Sequence, residues 1–175
     1  MARLDRIFGD RRDRADLAPL YAVVVARARD PFWYREGGVP DTQDGRFDMI
    51  AAILSLVLLR LEQEGEARAS EGALLAEQFI ADMDGQLREI GLGDVVVGKH
   101  VGRMMGALGG RMAAYRVGLE PDGDLGAALD RNLYRGTPPP GAESEKVADR
   151  LQALHAALGR TDVDSLIAGS LPEAA

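Results

Sequence analysis

The chain has 175 residues, a hydrophobic fraction of 46% and a formal net charge of −7. This length fits one domain with a short tail, and the apolar content is too high for a disordered chain. The acidic balance argues against general nucleic-acid binding, which needs a basic surface to replace the counterions of phosphate. Because the chain has no cysteine, disulfides, zinc–cysteine sites and thiol nucleophiles are excluded.

We expect neither a targeting segment at the N-terminus nor a membrane-spanning segment in the longest apolar run. Residues 1–15 form a charged arm in which arginines alternate with aspartates, whereas a secretory signal needs an apolar run and a transit peptide is poor in acids. The longest apolar run, Met49 to Leu59, is broken only by Ser55 and is too short to span a bilayer. We therefore expect a cytoplasmic protein with a buried core helix at this position.

Hydrophobic spacing predicts helices along the chain and too few strands for a sheet. The helices are expected at residues 17–29, 44–63, 70–90, 97–119, 125–134, 143–158 and 161–168. The fold class is therefore all-α, a compact bundle of about six to seven helices. The second of these helices is apolar on nearly every side, so we expect it to be central and buried, with Thr42 or Asp44 near its N-terminal cap.

Composition divides the chain into four parts. These are the charged arm 1–15, a helical core 16–136, a proline-rich linker 137–142 and a C-terminal helical extension 143–175. The linker is marked by three consecutive prolines followed by glycine, which cannot continue a helix.

The predicted helix 97–119 separates into an apolar, a basic and a glycine-rich stripe on a helical wheel. The glycine stripe contains Gly98, Gly102, Gly106 and Gly109, and the basic face contains Lys99, Arg103 and Arg111. Each helical glycine costs about 1 kcal/mol relative to alanine, so packing must hold this helix. We favour close packing against another helix of the same domain; the alternative is a groove in which a partner segment contacts exposed backbone. The basic face is interpreted as a solvated surface.

The spacing from Gly93 to Lys99 matches the phosphate-loop pattern G-x-x-x-x-G-K. His100 stands where a serine or threonine should bind magnesium, and an acidic helix precedes the segment instead of a strand. A nucleotide-binding enzyme is therefore a remote alternative. The sequence shows no Ser-His-Asp set and no metal-ligand spacing, so we expect no catalytic residue, no metal and no cofactor.

Two stretches carry a family resemblance over roughly half of the chain. The first joins the aromatic run 32–34 to residues 38–48, and the second extends from Phe79 to Tyr115. Their motif positions include Pro40, Asp41, Asp44, Arg46, Asp82, Asp84, Arg88, Glu89 and Asp94. Together the stretches resemble the ubiquinol–cytochrome c chaperone family, the bacterial relatives of a mitochondrial assembly factor for the cytochrome bc1 complex. Within the domain, Arg46, Arg88 and Lys99 are expected to pair with the acids at 82, 84 or 89.

The resemblance implies a helical, non-enzymatic chaperone that binds newly made cytochrome b, or another apolar membrane-protein segment, during bc1 complex assembly. It also implies contact with the ribosome or the inner-membrane surface. It implies no binding of DNA or of a small-molecule substrate. An adaptor for a soluble partner is the alternative. To bind an apolar membrane-protein segment, a chaperone needs adaptable apolar side chains on its own surface. For client contact we predict Trp33, Tyr34, Met83, Leu87, Met104 and Met105.

Overall fold

The computed structural model describes residues 16–89, 94–139 and 143–173, with the backbone alone described at 86–89 and 94–102. Within these ranges the chain forms eight α-helices and no strand, which confirms the all-α fold class. The helices are α1 Ala18–Ala28, α2 Pro31–Arg35, α3 Gln43–Glu62, α4 Ala69–Glu89, α5 Asp94–Gly118, α6 Leu125–Asn132, α7 Glu143–Arg160 and α8 Val163–Ile167. A single 3-10 turn, Gly65–Arg68, leads from α3 into α4.

Helix α3 is the centre of the bundle, as its sequence predicts. Helices α1, α4, α5 and α7 all pack against it. Every residue from Met49 to Leu59 is buried, because a helix that is apolar on all sides needs neighbours on all sides to exclude water. The helix begins with Thr42 as its N-cap, whose Oγ1 accepts a hydrogen bond of 3.1 Å from the backbone N–H of Gly45.

The short helix α2 is absent from the sequence prediction. Asp30 caps it by accepting a hydrogen bond of 2.9 Å from the N–H of Phe32, and Pro31 occupies its first turn. Trp33 in this helix is fully buried and its Nε1 donates a hydrogen bond of 2.7 Å to the carbonyl of Arg27. A helix of 5 residues is too short to show an apolar period, so the pattern could not reveal it.

The C-terminal helices pack on the same hydrophobic core as the rest of the bundle. Val147, Leu151, Leu154 and Leu158 of α7 are buried in one cluster with α3. Arg60 of α3 donates from Nε to the carbonyl of Leu158 at 3.0 Å, which satisfies a carbonyl at the end of α7. The side chains of the predicted extension 143–175 that the structure describes therefore contribute to a common core with residues 16–136.

The structure also bears on membrane insertion. In the described ranges no helix combines the length and the apolar character that crossing a bilayer requires. The apolar run of α3 is instead enclosed by neighbouring helices.

Candidate functional site

An open groove of about 590 Å³ lies between α4 and α5, beside the last turns of α3. Leu58 and Leu61 of α3 line it together with residues of both neighbouring helices. The 3-10 turn closes one end through Gly65, Glu66 and Arg68. A bundle normally fills such a space with side chains, so the residues of the two walls explain why it is open.

The wall formed by α4 consists of small residues. Ala69, Gly72, Ala73 and Ala76 line the groove, and their spacing of i, i+3, i+4 and i+7 places them on one face of the helix. A Cβ atom built on Gly72 would find as its nearest neighbour the Cδ2 of Leu58 at 4.0 Å. Helix faces of this kind allow another helix to approach closely, as small residues do at helix contacts in membranes.

The wall formed by α5 has the same spacing and a different character. Met105, Leu108, Gly109 and Met112 line the groove. Met105 is 41% exposed, which is unusual for a large apolar side chain among the described residues, and a Cβ atom on Gly109 would have no described neighbour within 4 Å. Because methionine is unbranched and flexible, this wall can adapt its shape to different apolar partners.

The glycine stripe of α5 faces open space where the structure describes it. Neither Gly106 nor Gly109 would place a Cβ atom within 4 Å of another group. The favoured interpretation, close packing inside the domain, is therefore wrong at these two positions. At Gly109 the open space is the groove that separates α5 from α4. Gly98 and Gly102 lie outside the residues whose side-chain environment the structure describes.

The six residues predicted to contact a client are placed in different parts of the molecule. Trp33, Met83 and Met104 are exposed by 0%, 4% and 7% and belong to the core, so the expectation of client contact is corrected for them in this conformation. Met104 and Met105 differ by about 100° around the helix, which turns the first inward and the second into the groove. Tyr34 is half-buried away from the groove, and the side chain of Leu87 is outside the described part.

The rim of the groove carries charges of both signs. Arg68 donates from Nη1 to Glu71 at 2.9 Å and also pairs with Asp164 of α8. The hydrogen bond from Arg68 holds the pKa of Glu71 below its usual value. Near the end of α3, Arg116 pairs with Glu62, which also lines the groove. The apolar walls are thus bordered by paired charges, an arrangement typical of protein-binding grooves.

The predicted basic face does not form a continuous solvated surface. The side chain of Arg111 is 13% exposed and its Nη2 donates to Oδ1 of Asp48 at 2.6 Å. Its guanidinium carbon also lies 5.5 Å from the ring centre of Phe47. Arg111 is therefore a structural ion-pair partner, which corrects the surface interpretation. Arg103 is exposed, and the side chain of Lys99 lies outside the described part.

Several family-motif residues serve the architecture of the bundle. Asp44 accepts from Nη1 of Arg135 at 2.5 Å, and Arg46 pairs with Asp41 at 2.7 Å instead of with an acid of α4. Asp82 accepts a hydrogen bond of 2.7 Å from the hydroxyl of Tyr21.

Burial, followed by the contact with Asp82, raises the pKa of the Tyr21 hydroxyl. Asp84 also has an interaction partner. The side chains of Arg88, Glu89 and Asp94 are outside the described part.

The phosphate-loop match lacks its structural context. Residues 94–99 form the first turns of α5, and the described element before them is helix α4. A phosphate loop joins a strand to a helix. The geometry of the described residues therefore gives no support to a nucleotide site at this spacing, and residues 90–93 lie outside the described ranges.

The α4 wall and part of the α5 wall are absent from the residues predicted for client contact. The prediction placed Met83 and Leu87 of α4 in contact with a client and gave no role to the alanine and glycine face of this helix. The signal was present as four small residues at the spacing i, i+3, i+4 and i+7, Ala69 to Ala76. Met112 is not among the residues predicted for client contact, and the structure places it at the groove.

The described residues thus form an all-α bundle with an open apolar groove between two of its helices. Residues 35–174 match the family described as ubiquinol-cytochrome C chaperone. Because the match spans most of the chain, the protein belongs to this family, which supports a chaperone role. The family match begins after the aromatic run 32–34 and continues through α7 and α8.

A solved structure gives a second comparison. The chain is similar to the crystal structure of the Cbp3 homolog from Brucella abortus, with a TM-score of 0.78 and 30% sequence identity. The likeness covers 97% of this chain and 96% of that chain. A comparison with curated proteins gives no match.

Proposed function

We propose that this protein is a non-enzymatic assembly chaperone that binds newly made cytochrome b during biogenesis of the cytochrome bc1 complex. Its client site is the groove between α4 and α5, which receives one apolar transmembrane helix of the client. The observation that carries the proposal is the pairing of a small-residue wall, Ala69 to Ala76, with an adaptable wall, Met105 to Met112, at the same helical spacing. The family and the similarity to the Cbp3 homolog support it.

The physical argument starts from what an unassembled transmembrane helix needs. Such a helix is apolar on all sides and has no water-compatible face. The wall of small residues lets its backbone approach closely, within the distance of about 8–10 Å at which helices pack. The methionines opposite fill the remaining space around side chains of different shapes. The same groove can therefore hold several apolar segments with different sequences.

Site-specific crosslinking tests the location of the client. Photoreactive residues are placed at Met105 and Met112, with Val117 as the matched control, because it is 61% exposed on the same helix and outside the groove. We expect cytochrome b to be trapped in cells from positions 105 and 112 and not from 117. Equal trapping from all three positions would mean that the groove has no special role in client binding.

A pair of leucine substitutions, one inside the groove and one outside it, tests whether the open space of the groove is needed for binding. Gly109 and Gly110 are neighbours on α5, and a Cβ atom at either position meets no described group within 4 Å. Gly109 lines the groove and Gly110 does not. We expect Gly109→Leu to weaken binding of a cytochrome b transmembrane peptide by about tenfold, equivalent to about 1.4 kcal/mol, and Gly110→Leu to leave it unchanged. Similar affinities for the two variants would contradict the proposed site.

The adaptor function is the second candidate, favoured by the paired charges at the rim of the groove. An amphipathic helix from a soluble protein would contact the apolar walls and these charges at the same time. Binding of such a peptide, without binding of a transmembrane peptide, would replace the chaperone proposal with the adaptor function.

A further inference from the structure

A second concave surface lies near the start of α3, away from the groove. It has a volume of about 470 Å³ and is lined by Arg29, Pro31, Tyr34, Arg35, Asp41 and Arg46. We call it the arginine pocket after Arg29, Arg35 and Arg46. The groove lies near the other end of α3. At a rise of 1.5 Å per residue, the two surfaces are about 20 Å apart along this helix.

The three arginines come from three different helices. Arg29 is the C-cap of α1 and Arg35 is the last residue of α2, two positions where a positive charge favours the helix dipole. Arg46 lies near the beginning of α3, where the dipole disfavours a positive charge. Helix stability therefore explains the first two positions, whereas the local interaction of Arg46 is its ion pair with Asp41.

The pocket carries an excess of positive charge. Its three arginines face one acid, Asp41, which leaves two positive charges on a chain whose net charge is −7. Asp41 is paired with Arg46 at 2.7 Å. Within the described part of the chain, Arg29 and Arg35 are exposed and no ion pair is formed by either.

We propose that the arginine pocket binds a phosphate monoester. Such a group carries about −1.5 to −2 charges at pH 7, which matches the two excess positive charges of the pocket. Guanidinium groups bind phosphate oxygens through parallel N–H donors, so arginine suits this ligand better than lysine does.

The remaining wall of the pocket contains Tyr34 and Pro31. The hydroxyl of Tyr34 donates to the carbonyl of Ala28 at 2.8 Å, which fixes the ring beside Pro31. The ring and the proline therefore offer an apolar surface to the organic group that carries the phosphate. Two sources share this chemistry, a soluble phosphorylated compound and the headgroup of phosphatidic acid in a membrane.

The test uses the full chain and a matched pair of double variants. Arg29→Gln with Arg35→Gln removes two charges from the pocket and leaves the Arg46–Asp41 pair intact. Arg131→Gln with Arg160→Gln removes two charges from exposed arginines that lie in the last turns of helices and outside the pocket. Both double variants change the net charge equally, so a general electrostatic effect would appear in both.

Two probes distinguish the sources. Inorganic phosphate is titrated at constant ionic strength while Tm is measured, since a ligand that binds the folded state raises Tm. Vesicles containing phosphatidic acid are compared with phosphatidylcholine vesicles in a flotation assay. We expect the wild type and the control variant to respond to at least one probe, with binding at least about tenfold weaker in the pocket variant.

The two probes distinguish a soluble ligand from a lipid headgroup. A response to phosphate alone identifies a soluble ligand, and a response to phosphatidic acid vesicles alone identifies a lipid headgroup. If both double variants respond like the wild type, or if neither probe binds the wild type, the proposal is overturned. These measurements involve no client, so they are independent of the outcome for the groove.

Discussion

Arg111 of α5 and Asp48 of α3 form an ion pair inside the bundle, with 2.6 Å between Nη2 and Oδ1. The side chain of Asp48 is fully buried, and its second oxygen accepts a hydrogen bond of 2.6 Å from Nε of Arg135. One carboxylate therefore connects α3, α5 and the segment after α6. A buried carboxylate is tolerated because two guanidinium groups compensate its charge.

Replacing this carboxylate tests its role. Asp48→Asn removes the charge that compensates the largely buried Arg111, so we expect a loss of about 3 kcal/mol in the free energy of unfolding. Urea denaturation measures this change. Asp44→Asn is the control, since Asp44 also pairs with Arg135 but its side chain is 72% exposed, and exposed pairs contribute little. Equal effects of the two substitutions would refute a special role for the buried pair.

Gly45 allows the close approach of the loop before α3. A Cβ atom at this position would lie 2.0 Å from the carbonyl oxygen of Pro40, and a backbone atom cannot move away cheaply. We expect Gly45→Ala to destabilise the protein by about 1–3 kcal/mol, as overpacking does. Gly85→Ala in α4 is the control, because a Cβ atom there meets nothing within 4 Å. Thermal unfolding measures the stability of both variants. Unchanged stability of Gly45→Ala would contradict the close contact.

Glycines of α5 that face open space should respond to alanine substitution with a gain in stability, in contrast to Gly45. Gly106 and Gly110 lie within the helix, and in the part of the chain that the structure describes a Cβ atom on either one meets nothing within 4 Å. Alanine reduces the conformational freedom of the unfolded chain, so Gly106→Ala and Gly110→Ala should each stabilise the protein by about 0.5–1 kcal/mol. Chemical denaturation measures the gain. A loss of stability in either variant would indicate that this face of α5 is packed against another group.

The partly buried imidazole of His155 should make the stability of the protein depend on pH. Burial lowers the pKa of its imidazole from the ordinary value of 6.5. The unfolded chain therefore binds a proton that the folded chain does not, in the range between the lowered pKa and 6.5. Stability should fall as the pH drops through this range, by linkage. Urea denaturation at a series of pH values checks this, and His155→Gln should flatten the dependence. An identical slope in the variant would show that other groups cause it.

The sequence predicts the helices well where their signals are local. The apolar period and the Thr42 cap indicate α3, and Pro121 separates α5 from α6. Helix α2 is missed because one turn has no period. The interpretation of α5 shows the limit more clearly, since its stripes are correct as a pattern but Arg111 and Gly109 lie in different environments from those expected.

The sequence by itself determined the fold class, the central position of α3 and the resemblance to the chaperone family, because periodicity, caps and motifs are properties of neighbouring residues. Only the tertiary structure decided which residues are accessible. Trp33 and Met104 are buried and Met105 is exposed, although all three are large and apolar. Burial depends on which helix lies opposite, and the separation of α4 from α5 is set by packing between residues far apart in the chain. That separation is what leaves the groove open.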